Sequence, residues 1–418
     1  MSEAMRARNP FRRVGVATAC LCLAACGNSG VPTSRTVSAA PPVLVPTPMP
    51  APAPPSTPAP IASLTDGLWM KGDLHIHSRH STDSSNNPVA KIIALGESVG
   101  MDYLGITDHD NHVNGDVARN TWADPEFKSS SMVLLYGAEL TTARGHANPL
   151  SAKPYNHQRL YEAREALDVD IAKIIKEEGL HFSANHPNGA DHFGFSYDMV
   201  DAIEVWNSAI WATNDGSMLI WQDMLNSGRN ITARGGSDSH HGYPGVGDTP
   251  GQNSIQAGGN NVGTPTTWVF ATARTGEAVI AALNNGRVSI SSNPNAPRVE
   301  LYADLNQDGV MDMMMGDNTA PPGTSVDFRV DLVGVGAAVA PYTVTVIKNG
   351  SELGSYSVLP TEPSVSFTDT PAAEGRSYYR VQVEGQQAAY PEIPGAAALS
   401  ANMIALSNPI YFNFKRPR

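Results

Sequence analysis

Five short runs of this chain bring histidine together with carboxylate or amide side chains. They are Asp73-Leu74-His75-Ile76-His77, Ile106-Thr107-Asp108-His109, Glu139 followed by His146, Asn185-His186-Pro187, and Gly236-Ser237-Asp238-Ser239-His240. Residues two apart on a strand point to one face, so His75 and His77 can meet one metal ion. Imidazole and carboxylate donors without thiolate suit Zn²⁺, Mn²⁺ or Fe and do not select among them. One such run alone is more often a hydrogen-bonded polar loop than a ligand set. Five of them, each at the end of an apolar run, point to a cluster of divalent metals. Metals a few Å apart lower the pKa of a shared water and clamp substrate oxygens during in-line displacement. That is chemistry for hydrolysing an ester-type bond.

The five runs can meet only if a scaffold brings them to one end. Over residues 66–292 short apolar runs alternate with helical stretches. Strands are predicted at 68–76, 103–107, 132–136, 180–184, 202–206 and 231–235. Helices are predicted at 89–100, 158–178, 217–226 and 277–284. This alternation argues for an α/β fold with a parallel sheet or barrel, whose active sites gather at the C-terminal ends of strands. From about residue 297 the pattern turns β-rich, at 298–303, 326–332, 343–348, 364–368 and 378–384, with Gly, Pro and Asp between. Residues 296–418 therefore read as a small C-terminal β-sandwich domain.

The order His-x-His, Thr-Asp-His, Glu, His-Pro, Ser-Asp-x-His resembles the PHP (polymerase and histidinol phosphatase) superfamily. The run Glu139-Leu140-Thr141-Thr142 with Gly145-His146-Ala147-Asn148 is similar to its carbaryl-hydrolase-like branch. The resemblance covers residues 69–292. It implies a distorted (β/α)7 barrel, here spanning 66–295, whose mouth holds two or three divalent metals (Zn, Mn or Fe). It assigns His75, His77, Glu139 and Asp238 to a first metal. Glu139 would bridge to a second, joined by His146 and His186, and His109 and His240 would hold a third. A further ligand shortly after His-x-His falls on Asp83, with His80 as the alternative. Asp238 would also accept the proton as water is activated. Arg144 could hold an anionic oxygen with its forked donors, or pair with a surface carboxylate. Asp108 would orient a ligand imidazole.

The implied activity is hydrolysis of a small-molecule ester, a phosphoester first. A carbamate or carboxylic ester is the alternative, because the same activated water attacks carbon or phosphorus. A non-catalytic, metal-binding surface lipoprotein is a third reading. His112, His157, His181, His192 and His241 match no motif position. Trp206, Trp211 and Trp221 read as core residues or pocket walls. Gly245, Gly247, Gly251, Gly258 and Gly259 read as a loop that closes over the mouth or as a plain connection.

One motif lies outside the barrel. Asp304-Leu305-Asn306-Gln307-Asp308-Gly309-Val310-Met311-Asp312 carries the spacing of a calcium loop, with Asp304, Asn306, Asp308 and Asp312 as oxygen donors. Met315 stands where the closing Glu belongs, and Asp317 is the substitute. The alternatives are a structural Ca²⁺ and a plain Asp/Asn/Gly turn.

At the front, Arg6, Arg8, Arg12 and Arg13 precede a short apolar run, as in an export signal. Leu23-Ala24-Ala25-Cys26 resembles the bacterial lipobox. Residues 1–26 are therefore expected to be a lipoprotein signal peptide, with lipid on Cys26 as the membrane anchor at the bacterial cell envelope. Proline-rich residues 27–65 read as an extended tether. Cys20 and Cys22 fall inside the signal, so the mature body would lack disulfides and free thiols. A net charge of −12 argues against nucleic acid as a partner.

Overall fold

The computed structural model describes residues 63–188, 192–240, 261–336, 338–388 and 402–415. The signal, Cys26, the tether to residue 62 and the glycine-rich loop 241–260 with His241 lie outside the described residues.

β1 (Leu68–Asp73), β2 (Tyr103–Ile106) and β3 (Val133–Gly137) run parallel. All four residues of β2 are buried, which explains its continuous apolar character. α1 (Val89–Ser98) follows Pro88 and buries Val89, Ile92, Ile93 and Leu95 at helical spacing. β4 (Leu140–Thr142) folds back on β5 (Gly145–Ser151) as a hairpin. Only glycine fits at 145, because its φ is +122° and a Cβ would lie 2.4 Å from His192 O. β5 is antiparallel both to β3 and to β6 (His181–Ala184). β7 (Ala202–Asn207) and β8 (Thr232–Gly236) then extend the sheet in parallel.

The predicted helix over 158–178 is two helices, α2 (His157–Glu162) and α3 (Asp168–Glu178). Asp168 starts a new helix rather than continuing the old one. Its carboxylate accepts the Ser196 N–H at 2.8 Å and pairs with Arg144, while Asp168 and Asp170 suit a helix N-terminus. α4 (Asp215–Ser227) connects β7 to β8.

No ladder joins β8 to β1. The chain just beyond them meets at one parallel bridge, Ile76 to Ser239. There the His77 N–H donates to Ser239 O and the Asp238 N–H to His75 O, each at 2.8 Å. The expected closed (β/α)7 barrel is therefore not shown. The fold is mixed α/β, with a large sheet and five α-helices among the described residues. On the other side of β1 lie two antiparallel strands, β9 (Thr266–Ala271) and β10 (Val288–Ser291), joined by α5 (Gly276–Asn284).

The C-terminal region adds β11 (Arg298–Asp304), β12 (Met313–Met314), β13 (Asn318–Thr319), β14 (Val326–Val333), β15 (Tyr342–Lys348), β16 (Ser351–Val358), β17 (Ser364–Asp369), β18 (Ser377–Glu384), β19 (Met403–Ser407) and β20 (Ile410–Phe412). β12, β11, β14 and β17 form one layer. The opposing layer continues the large sheet, because β19 pairs antiparallel with β10. Alternate residues of β14, β15 and β18, such as Phe328, Val330, Val344, Val346, Val381 and Val383, fill the core between the layers. Residue 296 thus marks no break in the sheet.

One residue binds the two regions more tightly still. Asn408 is fully buried beside β8. Its Nδ2 donates to Ala233 O at 2.8 Å and Val288 O at 3.0 Å, and its Oδ1 accepts the Ala233 N–H at 2.8 Å. A single side-chain amide satisfies backbone groups of β8 that a neighbouring strand would otherwise pair.

Candidate metal centre

The five runs arrive together. His75 and His77 follow β1, His109 follows β2, and Glu139 follows β3. His146 lies on β5, His186 follows β6, and Asp238 and His240 follow β8. Four sets of ligand atoms lie mutually within 4.8 Å: His75, His77 and Asp238; His75, Glu139 and His186; His77, His109 and His240; and Asp83, His109 and His112.

Glu139 is the hub. Its Oε1 is 3.1 Å from His75 Nε2, 3.3 Å from His146 Nδ1 and 3.3 Å from His186 Nε2. Its Oε2 is 2.7 Å from His109 Nδ1 and 3.5 Å from His77 Nε2. Asp238 Oδ1 is 3.1 Å from His77 Nε2 and 3.4 Å from His75 Nε2. Asp83 Oδ2 lies 3.3 Å from His109 Nε2 and 3.6 Å from His240 Nε2. His80, the alternative to Asp83, instead places Nε2 2.8 Å from Asp124 Oδ2. His77 stands between two sets: its ring centroid is 4.2 Å from those of both His109 and His240, and 5.2 Å from that of His75.

These residues fit a cation site. Nε2 of His75 and of His77, Oε2 of Glu139 and Nδ1 of His146 are buried without a hydrogen bond of sound geometry. Buried polar atoms are ordinarily bonded, and here the exceptions converge on one space. Backbone strain points the same way. His186 and Asp238 hold positive φ, 25° and 52°, which non-glycine residues adopt only when their surroundings enforce it.

Two supporting residues escaped the motif reading. Glu204 on β7 and Arg234 on β8 are wholly buried. His75 Nδ1 lies 3.0 Å from Glu204 Oε1, which also accepts from Arg234 Nη1 at 2.9 Å. Glu204 Oε2 accepts the His186 N–H at 3.0 Å. Arg234 Nη2 donates to Asn185 Oδ1 at 2.6 Å, and Asn185 Nδ2 donates to Glu139 Oε1 at 2.8 Å. One buried guanidinium thus orients an imidazole through Glu204 and the hub carboxylate through Asn185. A Cβ at Gly236 would lie 2.0 Å from Glu204 Oε1 and 2.6 Å from the His75 Cβ, so glycine is required where β8 passes this pair. A signal for both residues existed, since each is a charged side chain inside an otherwise apolar strand.

The electrostatics follow from the packing. Burial pushes the His75 imidazole down, but the Glu204, Asp238 and Glu139 carboxylates outweigh it and hold it at about 10. Burial likewise opposes protonation of His109, yet Glu139 and Asp83 raise it to about 11. His77 is depressed to about 3 by burial and by the charges of His240 and His109. Burial disfavours ionised Glu139, but His75 and His109 hold it well below the usual carboxylate range. The same balance holds Asp238 low, chiefly through His75 and His77 after burial.

The structure also places the remaining candidates, and for Arg144 it shows the ion pair rather than the anion clamp. Arg144 does not stand free as an anion clamp: its guanidinium pairs with Asp168, donates to Ala166 O at 3.0 Å and Gly194 O at 3.3 Å, and lies over Phe195. Asp108 touches no ligand imidazole directly. It accepts from Ser78 N and Oγ, Ser81 Oγ and Thr121 Oγ1, and Ser81 Oγ lies 3.2 Å from His77 Nδ1. His112 joins the mouth, with Nδ1 3.9 Å from Asp83 Oδ1 and its ring 4.7 Å from that of His109. Its place in the turn just after Thr-Asp-His was the available signal. His157 Nε2 lies 3.0 Å from Asp110 Oδ2, His181 Nδ1 lies 2.6 Å from Asn284 Oδ1, and His192 is exposed. Trp206 and Trp221 are fully buried, and Trp211 packs on Trp206.

The 304–312 loop is a tight turn whose acidic side chains accept its own N–H groups. Asp304 Oδ1 accepts the N–H groups of Asn306, Gln307 and Asp308, and Oδ2 that of Gly309. Asp308 accepts from Val310 N–H and Asn306 Nδ2, and Asp312 from Leu305 N–H. No metal-holding set among the described residues includes Asp304, Asp308 or Asp312. Asp317 is bound instead to Arg287 Nη2, at 3.0 Å through each oxygen.

No protein-family model matches this chain, and no curated protein matches it. Among solved structures, a two-domain protein from Bacteroides vulgatus, described as containing a predicted PHP-like metal-dependent phosphoesterase, is similar to it with a TM-score of 0.40 and 16% sequence identity, over 85% of this chain and 99% of that one.

Proposed function

We propose that the chain is a metal-dependent hydrolase of small ester substrates, phosphoesters first. The observation that carries this reading is the meeting of Glu139 with His75, His109, His146 and His186 in a buried space where ligand atoms lack hydrogen bonds. Divalent metals bound there would supply Lewis acidity and an activated water. The chain's own task is to hold and orient. His75, His77 and Asp238 form one ligand set, and Glu139 joins it to His146 and His186. His109, His240 and Asp83 form the third. Asn207 Nδ2 lies 3.4 Å from Asp238 Oδ2, and the resemblance gives Asp238 the further role of accepting the proton from the attacking water. Placement in the carbaryl-hydrolase-like branch rests on the sequence motifs alone. Export and a lipid anchor at Cys26 rest likewise on the sequence of residues 1–65.

One observation favours carbamate or carboxylic ester hydrolysis as a second reading. Arg144 is committed to Asp168, and the loops 185–201, 207–214 and 237–265 contain no Lys or Arg. Loops without Lys or Arg on this side of the site suit a scissile group of low charge.

The test is to purify residues 66–418, measure bound metal, and assay chromogenic phosphomonoester, phosphodiester and aryl carbamate substrates, with His75→Ala as control. Phosphoester turnover that disappears on chelation and in the variant supports the first reading. Carbamate turnover alone selects the second. A protein that binds no metal ends both.

A further inference from the structure

A second anomaly of charge lies where α4 packs on β18. Arg380 is only 5% exposed. Its Nη2 donates to Gln222 Oε1 at 3.0 Å, but Nε and Nη1 are buried without a partner. Its guanidinium carbon lies 5.1 Å from the Trp221 ring centroid, and among the described residues no carboxylate pairs with it. Buried cations are ordinarily paired, because one neutral hydrogen bond and an aromatic face do not repay their desolvation.

Arg376 and Tyr378 precede Arg380 at two-residue spacing, so the three side chains share the strand face that meets α4. Arg376 Nη1 donates to Ser227 O at 2.8 Å, and Arg376 also has no carboxylate partner among the described residues. In a chain of net charge −12, two neighbouring guanidiniums without a carboxylate are not what composition predicts.

Beside them is a cleft of about 410 Å³, lined by Leu225, Asn226, Asn349, Arg376, Tyr378 and Phe414. The Tyr378 hydroxyl is hydrogen-bonded to Gln222 and to Asn226 Oδ1, so Gln222 links Arg380 to the cleft wall. Asn349 Oδ1 accepts the Tyr378 N–H at 2.9 Å, which leaves its amide N–H groups as donors. Leu225 and Phe414 supply the apolar side.

We propose that this cleft binds a small organic oxyanion, with a phosphate or carboxylate head held by Arg376 and the Asn349 amide, an apolar body against Leu225 and Phe414, and the charge of Arg380 behind the wall formed by Gln222 and Tyr378. The site is separate from the metal mouth and does not depend on the hydrolase reading.

The test titrates the mature chain with phenylphosphonate and with inorganic phosphate, by calorimetry and by thermal melting. Phenylphosphonate binding should persist in His75→Ala and weaken about tenfold or more in Arg376→Gln, whose exposed side chain can change without disturbing the fold. Inorganic phosphate should compete for the same site more weakly, because it lacks the apolar body. Arg380→Met removes an unpaired buried charge, so without ligand it should melt above the wild type, and it should weaken phenylphosphonate less than Arg376→Gln does, because Arg380 acts through its charge from behind the cleft wall. Binding lost in His75→Ala but unchanged in Arg376→Gln would assign the ligand to the mouth and overturn the proposal. Absence of saturable binding at millimolar phenylphosphonate would also overturn it.

Discussion

The mouth and the 304–312 loop look alike as sequence: short runs of oxygen and nitrogen donors at ligand spacing. They differ in where the backbone lies. At the mouth the donors come from the ends of five strands and from β5, so no loop can satisfy its own ligands, and buried atoms of His75, His77, Glu139 and His146 are left without hydrogen bonds. In the 304–312 loop the donors share one tight turn, and its own N–H groups reach Asp304 and Asp308 first. Ligand residue types within one loop therefore leave the metal undecided, because the same oxygens can accept the loop's own N–H groups. The same residue types are a strong sign when distant segments must converge to assemble them.

This contrast can be broken at several points. Glu139→Ala removes the hub and should abolish metal retention and turnover, exceeding the roughly 10–100-fold loss typical of outer orienting partners. Elemental analysis and kcat/KM would check it, and a variant that keeps its metals would show that the hub is not one. Glu204→Gln should fall within that 10–100-fold range in metal affinity, because it weakens the grip on His75 and leaves Arg234 under-compensated. Competition with a chelator reads this directly. Asp304→Ala should leave metal content and turnover unchanged yet cost about 0.5–1.5 kcal/mol, since the four N–H groups that lose their acceptor belong to exposed residues and can turn to water. A rise in Tm of the wild type with added Ca²⁺ would erase the distinction between the two regions.

The smallest effect is in pH. Without metal, His75 and His109 are held at about 10 and about 11, so their stabilisation is full below the ordinary imidazole pKa and is lost as pH rises through those values. Glu139 and Asp238 are held low, so theirs is present above the ordinary carboxylate pKa and is lost in acid. Metal requires neutral imidazole, so uptake near neutral pH should release protons and affinity should climb with pH. Calorimetry in buffers of different ionisation heat measures the protons; no release would mean that the imidazoles are already neutral.

What could be read in the sequence was local. His-x-His, Thr-Asp-His and Ser-Asp-x-His lie within single turns, and the apolar runs before them mark β1, β2 and β8 within a few residues. What could not be read was long-range. Arg144 meets Asp168 across 24 positions and Gly194 across 50, and such contacts choose the ion pair over the anion clamp. β16 escaped because it is exposed along most of its length and shows little apolar alternation. A closed barrel is not shown, and beside β8 the backbone of Ala233 is bonded by Asn408, 175 positions away.

That last contact bears on how the molecule can be inherited and cut. A gene fragment ending at residue 295 would strip β19 from β10 and Asn408 from β8, baring edges of both strands. Bare edges recruit other chains, so such a fragment is expected to aggregate rather than fold alone. The histidine-bearing half and the all-β half would then travel through evolution as one piece, with the second acting as the seam of the first.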